Sequence, residues 1–311
     1  MKTTEKTPSR RALLTLGAGA ALAASLPTGG SAHAAATLSP GDSHAVAHAL
    51  AALEREHSAR LGVFAHDTAT GRTLQYRAQE RVPLCSVFKT LAVAAVLRDL
   101  DRDGEFLAKR VRYTAQETSA SGHAPITGLP ENLARGMTIE ELSDAAIRFS
   151  DNAAANLLLR ELGGPAAVTR FARSTGDAVT RLDRWEPDLN TAEPGRVTDT
   201  TTPYAIGRTY GRLVLGTALE AADRRRLTGW LLGNTTGGER LRAGLPEDWT
   251  VADKTGAGAY GTNNDVAVVW PPGRPPLVIA VLTTKPRPDA TPDNPLIART
   301  AALLATALTG E

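Results

Sequence analysis

Cys85-Ser86-Val87-Phe88-Lys89-Thr90-Leu91-Ala92-Val93-Ala94-Ala95-Val96-Leu97 is the stretch on which the reading of this 311-residue chain turns. From Val87 to Leu100 the residues are apolar nearly all round, which predicts a helix buried in the middle of the protein. Ser86 and Lys89 stand at its first turn, three residues apart and so on one helix face. A serine hydroxyl is a weak nucleophile until a base takes its proton. A lysine buried beside other cations has a lowered pKa and can be that base. A helix N-terminus adds free backbone N–H groups and a positive end at the same place. S-x-x-K alone is expected roughly once by chance in a chain this long, and an N-capping serine with a solvated lysine is the plain alternative. Against that alternative, Lys89 lies within the most apolar helix of the chain.

Working outward, residues 42–60 read as a helix, 61–65 as a strand, 67–71 as a turn and 72–78 as a second strand completing a hairpin. Downstream, helices are expected near 138–149, 152–162, 165–175, 203–216 and 220–232. Strand-like runs follow at 249–257, 263–270 and 276–284, and a last helix at 292–309. Helix, two strands, many helices, three strands, helix is the order of an α/β (α+β) protein. Its two ends meet in one lobe around a five-stranded antiparallel sheet, about 35–80 with 231–311, and an all-helical lobe, about 81–230, is inserted between them. A cleft between lobes is a favoured place for a small-molecule site.

Three further motifs carry chemistry. Ser150-Asp151-Asn152 falls at a helix junction, where Asp and Asn also serve as ordinary caps. Lys254-Thr255-Gly256 falls at the end of a strand, where a cation, a hydroxyl and a glycine can grip a carboxylate and let a ligand approach the backbone. The plain alternative there is a strand that turns at Gly256. Arg184-Trp185-Glu186-Pro187-Asp188-Leu189-Asn190 opens an aperiodic segment reaching Asp199, a length that fits a large Ω-loop.

Each motif alone is suggestive, but their order is specific, and the sequence resembles the class A serine β-lactamases over about residues 40–311. S-x-x-K, S-D-N and K-T-G occur in that family's order, and Glu186 to Asn190 supplies its E-x-x-L-N. The resemblance implies an enzyme that hydrolyses the β-lactam amide through a serine acyl-enzyme and so confers antibiotic resistance, with no cofactor and no metal. It implies Ser86 as nucleophile, with the backbone N–H groups of Ser86 and Ala257 as oxyanion hole. Lys89 and Glu186 share the proton duty, and which of them takes the Ser86 proton in acylation is disputed for this family. Ser150 relays a proton to the leaving nitrogen, and Asn152 holds the substrate's side-chain amide. Glu186 and Asn190 position and deprotonate the water that frees the acyl-enzyme. Lys254, Thr255, Gly256, Ala257 and Arg240 bind the substrate, with Lys254, Thr255 and Arg240 gripping its carboxylate. Arg184 and Asp199 resemble the ion pair closing the Ω-loop. A D-Ala-D-Ala peptidase or transpeptidase shares the three shorter motifs, and Glu186 separates the two. A β-lactam sensor of this fold usually sits on a membrane-spanning chain.

The sequence also departs from the family. His123 falls where many relatives place an aromatic wall residue across the cleft. Some carbapenem-hydrolysing relatives pair a cysteine at the position of Cys85 with one just after K-T-G; here the second position is Gly258. Ala257 also replaces the serine or threonine common in those relatives. Both departures point to a penicillin-preferring enzyme.

Composition sets the outer limits. Apolar residues make up 42% and charged residues 22% of the chain, which excludes disordered and collagen-like classes. The single cysteine excludes an internal disulfide framework and a multi-cysteine zinc site. His44 and His48 are spaced i, i+4 but lack the H-E-x-x-H context of a zinc helix, and read as surface histidines. Residues 1–34 read as an export signal: Lys2, Lys6, Arg10 and Arg11, an apolar run from Ala12 to Leu26, then Ala32-His33-Ala34. Ser9-Arg10-Arg11 resembles a twin-arginine signal, so the protein is expected to be secreted, unanchored and monomeric. The whole chain carries a formal +2. Without residues 1–34 it carries −1, since that segment holds four of the basic residues and one glutamate. Nothing in that balance suggests a nucleic-acid partner.

Overall fold

A computed structural model describes residues 40–310; the export-signal reading of residues 1–34 lies outside them. The framework is an antiparallel sheet of β1 (Arg60–Asp67), β2 (Thr73–Tyr76), β3 (Thr250–Gly258), β4 (Thr262–Trp270) and β5 (Leu277–Thr284). Its order is β2-β1-β5-β4-β3, so the first strand of the chain pairs with the last, Phe64 opposite Ala280, and β3 is an edge.

Both faces of the sheet are covered, which explains why its strands read as continuous apolar runs. In β5, Leu277, Ile279 and Val281 point one way, into a cluster with Leu50 and Leu53 of α1 (Pro40–Glu56) and Leu296, Ile297 and Leu304 of α8 (Asn294–Thr309). Val278, Ala280 and Leu282 point the other way. There they meet Ile206, Tyr210 and Leu213 of α6 (Pro203–Val214) and the residues of α2 (Phe88–Ala95). Each such aliphatic side chain contributes about 1.5–3 kcal/mol by leaving water. Around α2 stand α3 (Ile139–Arg148), α4 (Asn152–Leu162), α5 (Ala166–Ser174) and α7 (Ala221–Leu232). Thr138 and Glu141 form a capping box at the start of α3, and Gly163 at φ 86° ends α4.

Three expectations are corrected. The first helix stops at Glu56, a turn with Ser58 at φ 48° follows, and Arg60 is already in β1. The central apolar helix is not uniform. A 3₁₀ turn, Cys85–Val87, precedes α2, and a wider π turn, Val96–Leu100, follows it. The strand expected over 249–257 is β3, but it does not turn at Gly256: Lys254-Thr255-Gly256 lie within it and it continues to Gly258. Short helices at Glu105–Ala108, Ala115–Ala120, Pro130–Arg135 and Leu241–Gly244 were not foreseen. They are too short for a 3.6-residue period to register. His44 and His48 lie exposed on α1.

Candidate active site

The turn that starts α2 sets the nucleophile candidate. Cys85 is held at φ 45°, a left-handed conformation uncommon for a side-chain residue. Ser86 follows, buried, with its Oγ 3.4 Å from Glu186 Oε1. One helical turn on, the Lys89 ammonium has no exposure. It lies 3.1 Å from the same Glu186 oxygen, 2.6 Å from Asn152 Oδ1, 2.8 Å from the Ser150 carbonyl and 3.4 Å from Ser150 Oγ. Burial lowers the Lys89 pKa, and Glu186 opposes the shift. A lysine so placed holds its proton loosely enough to exchange it with its neighbours.

In Ser150-Asp151-Asn152 the capping reading holds for Asp151, while the two residues beside it line the cleft. Asp151 is the cap: its carboxylate accepts from Ala154 N at 2.8 Å, Ile126 N at 3.0 Å and Thr127 N at 2.9 Å. With the aspartate so fixed, Ser150 at φ 54° and Asn152 present their side chains to Lys89. Asn152 Nδ2 donates to the Ser121 carbonyl at 3.0 Å, and its backbone N–H to the His123 carbonyl at 2.7 Å. His123 itself is exposed beside this turn, its ring nitrogen 3.2 Å from the Phe149 carbonyl.

Strand β3 brings up the opposite side. Lys254, also without exposure, donates to Ser150 Oγ at 3.0 Å and to the Thr255 carbonyl at 2.9 Å. Burial pushes its pKa well below the lysine value, and repulsion from Lys89 and Arg240 adds to the shift. Thr255 bonds the Thr236 hydroxyl. Gly256 passes so close to the nucleophile turn that a Cβ there would sit 3.2 Å from Cys85 Cβ, the Leu84 carbonyl and Val87 Cγ2. Here glycine serves close approach. Ala257 is exposed, and Arg240 is held along the strand by the carbonyls of Gly256 at 3.3 Å and Asn264 at 3.0 Å. A Cβ on Gly258 would lie 2.8 Å from Cys85 Sγ, so the two positions are neighbours and this chain has only one of the two cysteines.

The loop from Arg184 to Asp199 supplies the glutamate. Arg184 Nε reaches Asp199 Oδ2 at 2.6 Å, and Asp199 Oδ1 accepts the backbone N–H groups of Asp183 at 2.7 Å and Arg184 at 3.0 Å. A short 3₁₀ turn, Asp188–Thr191, then folds Asn190 back so that its Nδ2 donates to Glu186 Oε2. Asn190 Oδ1 is buried and has no hydrogen-bond partner among the described residues.

Several site residues escaped the sequence reading. Asn156, four residues beyond Asn152, clamps Glu186 by its backbone: Oδ1 accepts from Glu186 N at 3.0 Å and Nδ2 donates to Glu186 O at 2.9 Å. The i, i+4 pair of asparagines on one helix face was the signal. Asn264 Nδ2 ties β4 to the Pro83 carbonyl at 2.8 Å, just before the nucleophile turn. Asp253 anchors the base of β3 through Arg242 at 2.7 Å and Asn234 at 2.5 Å.

A five-stranded antiparallel sheet backed by two terminal helices and faced by this helical layer, with the four motifs converging at one edge, is the β-lactamase fold. Residues 45–308 match the profile of the beta-lactamase enzyme family. A beta-lactamase of Streptomyces lavendulae is 70% identical over 308 residues, 99% of this chain and all of that one. A carbapenem-hydrolyzing beta-lactamase KPC of Klebsiella oxytoca is 49% identical over 260 residues, 83% of this chain and 87% of that one. The solved structure of a beta-lactamase from Streptomyces albus G superposes with a TM-score of 0.84 at 65% identity, covering 85% of this chain and 99% of the other. The chain belongs to the beta-lactamase family and is a class A β-lactamase.

Proposed function

We propose that the enzyme opens β-lactam rings through a covalent ester on Ser86, with penicillins as its preferred substrates. The observation that carries the reading is one connected network: Ser86 meets Glu186, Glu186 meets Lys89, and Ser150 bridges Lys89 to Lys254. In acylation, Ser86 Oγ bonds to the lactam carbonyl carbon and its proton passes to the Lys89–Glu186 pair. The carbon–nitrogen bond breaks, and the nitrogen takes a proton through Ser150. The backbone N–H groups of Ser86 and Ala257 stabilise the oxyanion, each donor by about 2.7–4 kcal/mol. Lys254, Thr255 and Arg240 hold the substrate carboxylate, and Asn152 its side-chain amide. In deacylation, Glu186 takes a proton from a water that attacks the ester, and Ser86 recovers its own. The unpartnered Asn190 oxygen supports this role, because it offers that water a second acceptor.

Penicillin preference rests on Ala257 and on Gly258, which leaves Cys85 unpaired. A panel of penicillin, cephalosporin and carbapenem hydrolysis rates tests it. Carbapenem kcat/KM equal to that for penicillins overturns it. We further propose that residues 1–34 direct twin-arginine export of a secreted enzyme; Arg10→Lys with Arg11→Lys should retain the protein inside the cell.

Glu186→Ala tests the mechanism. It should still acylate and then stall, with turnover reduced by about 10²–10⁴-fold as expected for loss of a general base. Intact-protein mass spectrometry should show a lasting penicilloyl adduct, and digestion should place it on Ser86. Normal turnover, or an adduct elsewhere, overturns the assignment.

A further inference from the structure

A second concave site lies between β1 and α6, and none of the catalytic candidates lines it. Its volume is about 240 Å³, below the range of about 300–1,000 Å³ for drug-sized ligands, and suits only a small ligand such as a single ring with a substituent. Phe64, Leu215 and Val278 give it an apolar wall, and His66, Thr68, Arg208 and Arg212 give it polar groups.

Two periodicities bring these residues together. Phe64 and His66 alternate along β1 and so face α6, with Thr68 continuing the alternation just past the strand. On α6, Arg208 and Arg212 are four residues apart and stack on one side, with Gly207 and Gly211 one position before each. The glycines open the space. A Cβ on Gly207 would strike the Phe64 ring at 2.5 Å, whereas a Cβ on Gly211 would enter the pocket with Val278 Cγ2 as its nearest neighbour at 3.5 Å.

The electrostatics point one way. No aspartate or glutamate lines the pocket, and neither arginine forms an ion pair among the described residues; the Arg212 guanidinium lies over Gly176 at the pocket's margin. His66 Nδ1 is buried with no hydrogen-bond partner among the described residues. Two arginines beside an aromatic wall are complementary to an anion carrying an apolar body, and the His66 ring, whose Nδ1 is buried, reports on charge placed there. Guanidinium forks favour a planar carboxylate.

We propose that this pocket is an accessory binding site for small organic monocarboxylates, the carboxylate held by Arg208 and Arg212 and the apolar body lying on Phe64, Leu215 and Val278. Burial, reinforced by Arg208 and opposed by the Arg72 backbone and Asp67, lowers the His66 pKa, so an anion bound beside Arg208 should raise it.

NMR titration of the full chain with benzoate tests the site, with benzyl alcohol as the uncharged ring and inorganic phosphate as the charge without a ring. Benzoate should shift the His66 ring and the Gly207 and Gly211 amides saturably and raise the His66 pKa. Both controls should bind at least about tenfold more weakly. Arg208→Ala with Arg212→Ala should weaken benzoate by about tenfold or more while leaving β-lactam turnover unchanged. Gly211→Ala should also weaken it, since its methyl fits the fold and occupies the pocket. Resonances unmoved at tens of millimolar benzoate, or wild-type affinity in the double variant, overturn the proposal. So does equal binding of benzyl alcohol, which leaves an apolar cavity only, or of phosphate, which leaves a cationic patch only.

Discussion

Lys254 Nζ donates to Ser150 Oγ across 3.0 Å, and the same hydroxyl stands 3.4 Å from Lys89 Nζ. Ser150 is therefore a hydroxyl between two fully buried lysines brought from opposite sides of the cleft. Only Glu186 makes a direct ion pair with either of them among the described residues. Burial and the mutual repulsion of Lys89, Lys254 and Arg240 outweigh the opposing carboxylates of Glu186, Asp253 and Asp265, so the site is arranged to release protons. Such an arrangement is costly to the fold, because buried charge is seldom repaid by one partner.

Lys254→Met should therefore stabilise the protein while impairing catalysis. The folded-state pKa of Lys254 lies well below 10.5, through burial and then Lys89 and Arg240. Between that lowered value and the unfolded value, the unfolded chain binds the extra proton, so the wild type gains stability as pH rises. The methionine variant lacks this dependence. Its advantage should be full, about 1–4 kcal/mol, at pH below the lowered folded-state value and fade as pH climbs from there towards 10.5. Melting temperatures of both proteins across pH check this. A variant less stable at neutral pH, or an advantage that does not change with pH, refutes it.

Asn156→Ala should uncouple Glu186 from α4. The side chain satisfies the backbone N–H and carbonyl of Glu186 and donates to Ser121 Oγ at 3.1 Å. Leaving those buried groups unpaired costs about 1–3 kcal/mol. The kinetic effect should fall on deacylation, since Glu186 is displaced while Ser86 and Lys89 stay in place. A pre-steady-state burst of normal amplitude followed by slow turnover is the expected trace. A proportional loss of both phases would contradict it.

Gly258→Ala should strain the contact between β3 and the Ω-loop. Its Cβ would lie 2.7 Å from the Asn190 carbonyl and 2.8 Å from Cys85 Sγ, both below contact distance. Overpacking of this kind costs about 1–3 kcal/mol, and moving Asn190 disturbs the group that orients Glu186. Adding Cys85→Ala removes one of the two clashes, so the double variant should recover part of the loss. The double-mutant cycle in melting temperature should show coupling between the two positions. Strict additivity would mean that the sulfur is not in the way.

What the sequence disclosed depended on how local each signal was. Ser86 and Lys89 are one helical turn apart, and Ser150-Asp151-Asn152 is a single junction, so both stand out as written. The strands were legible as apolar runs because the sheet is covered on both faces. Lys254-Thr255-Gly256 read as the end of the 249–257 run, and β3 continues through it to Gly258, with Lys254 fully buried. It stays inside because Ser150, from the far side of the cleft, accepts its hydrogen bond. Asn156 and Asn264 were silent for a related reason. Their partners are backbone groups of distant segments, Glu186 and Pro83, which no local pattern reveals.

Asp199→Asn should loosen the Ω-loop without unfolding the sheet. The Asp199 carboxylate, 1% exposed, receives Arg184 Nε and two backbone N–H groups. An asparagine keeps the shape but removes the charge and turns an N–H₂ towards donors. Breaking a buried pair costs about 3–5 kcal/mol. The lower end applies here, because the Arg184 side chain is 26% exposed and water screens it. The loss should be local, since this loop is closed by the Arg184–Asp199 clasp while the sheet is held by its own two cores. Limited proteolysis should therefore cut faster in the exposed 193–197 stretch, while β4 and β5 amides keep their hydrogen-exchange protection. Deacylation should slow with it, because Glu186 and Asn190 both ride on the loop. Unchanged cleavage in 193–197 would show that other contacts, the Asn156 clamp first among them, hold the loop without the ion pair.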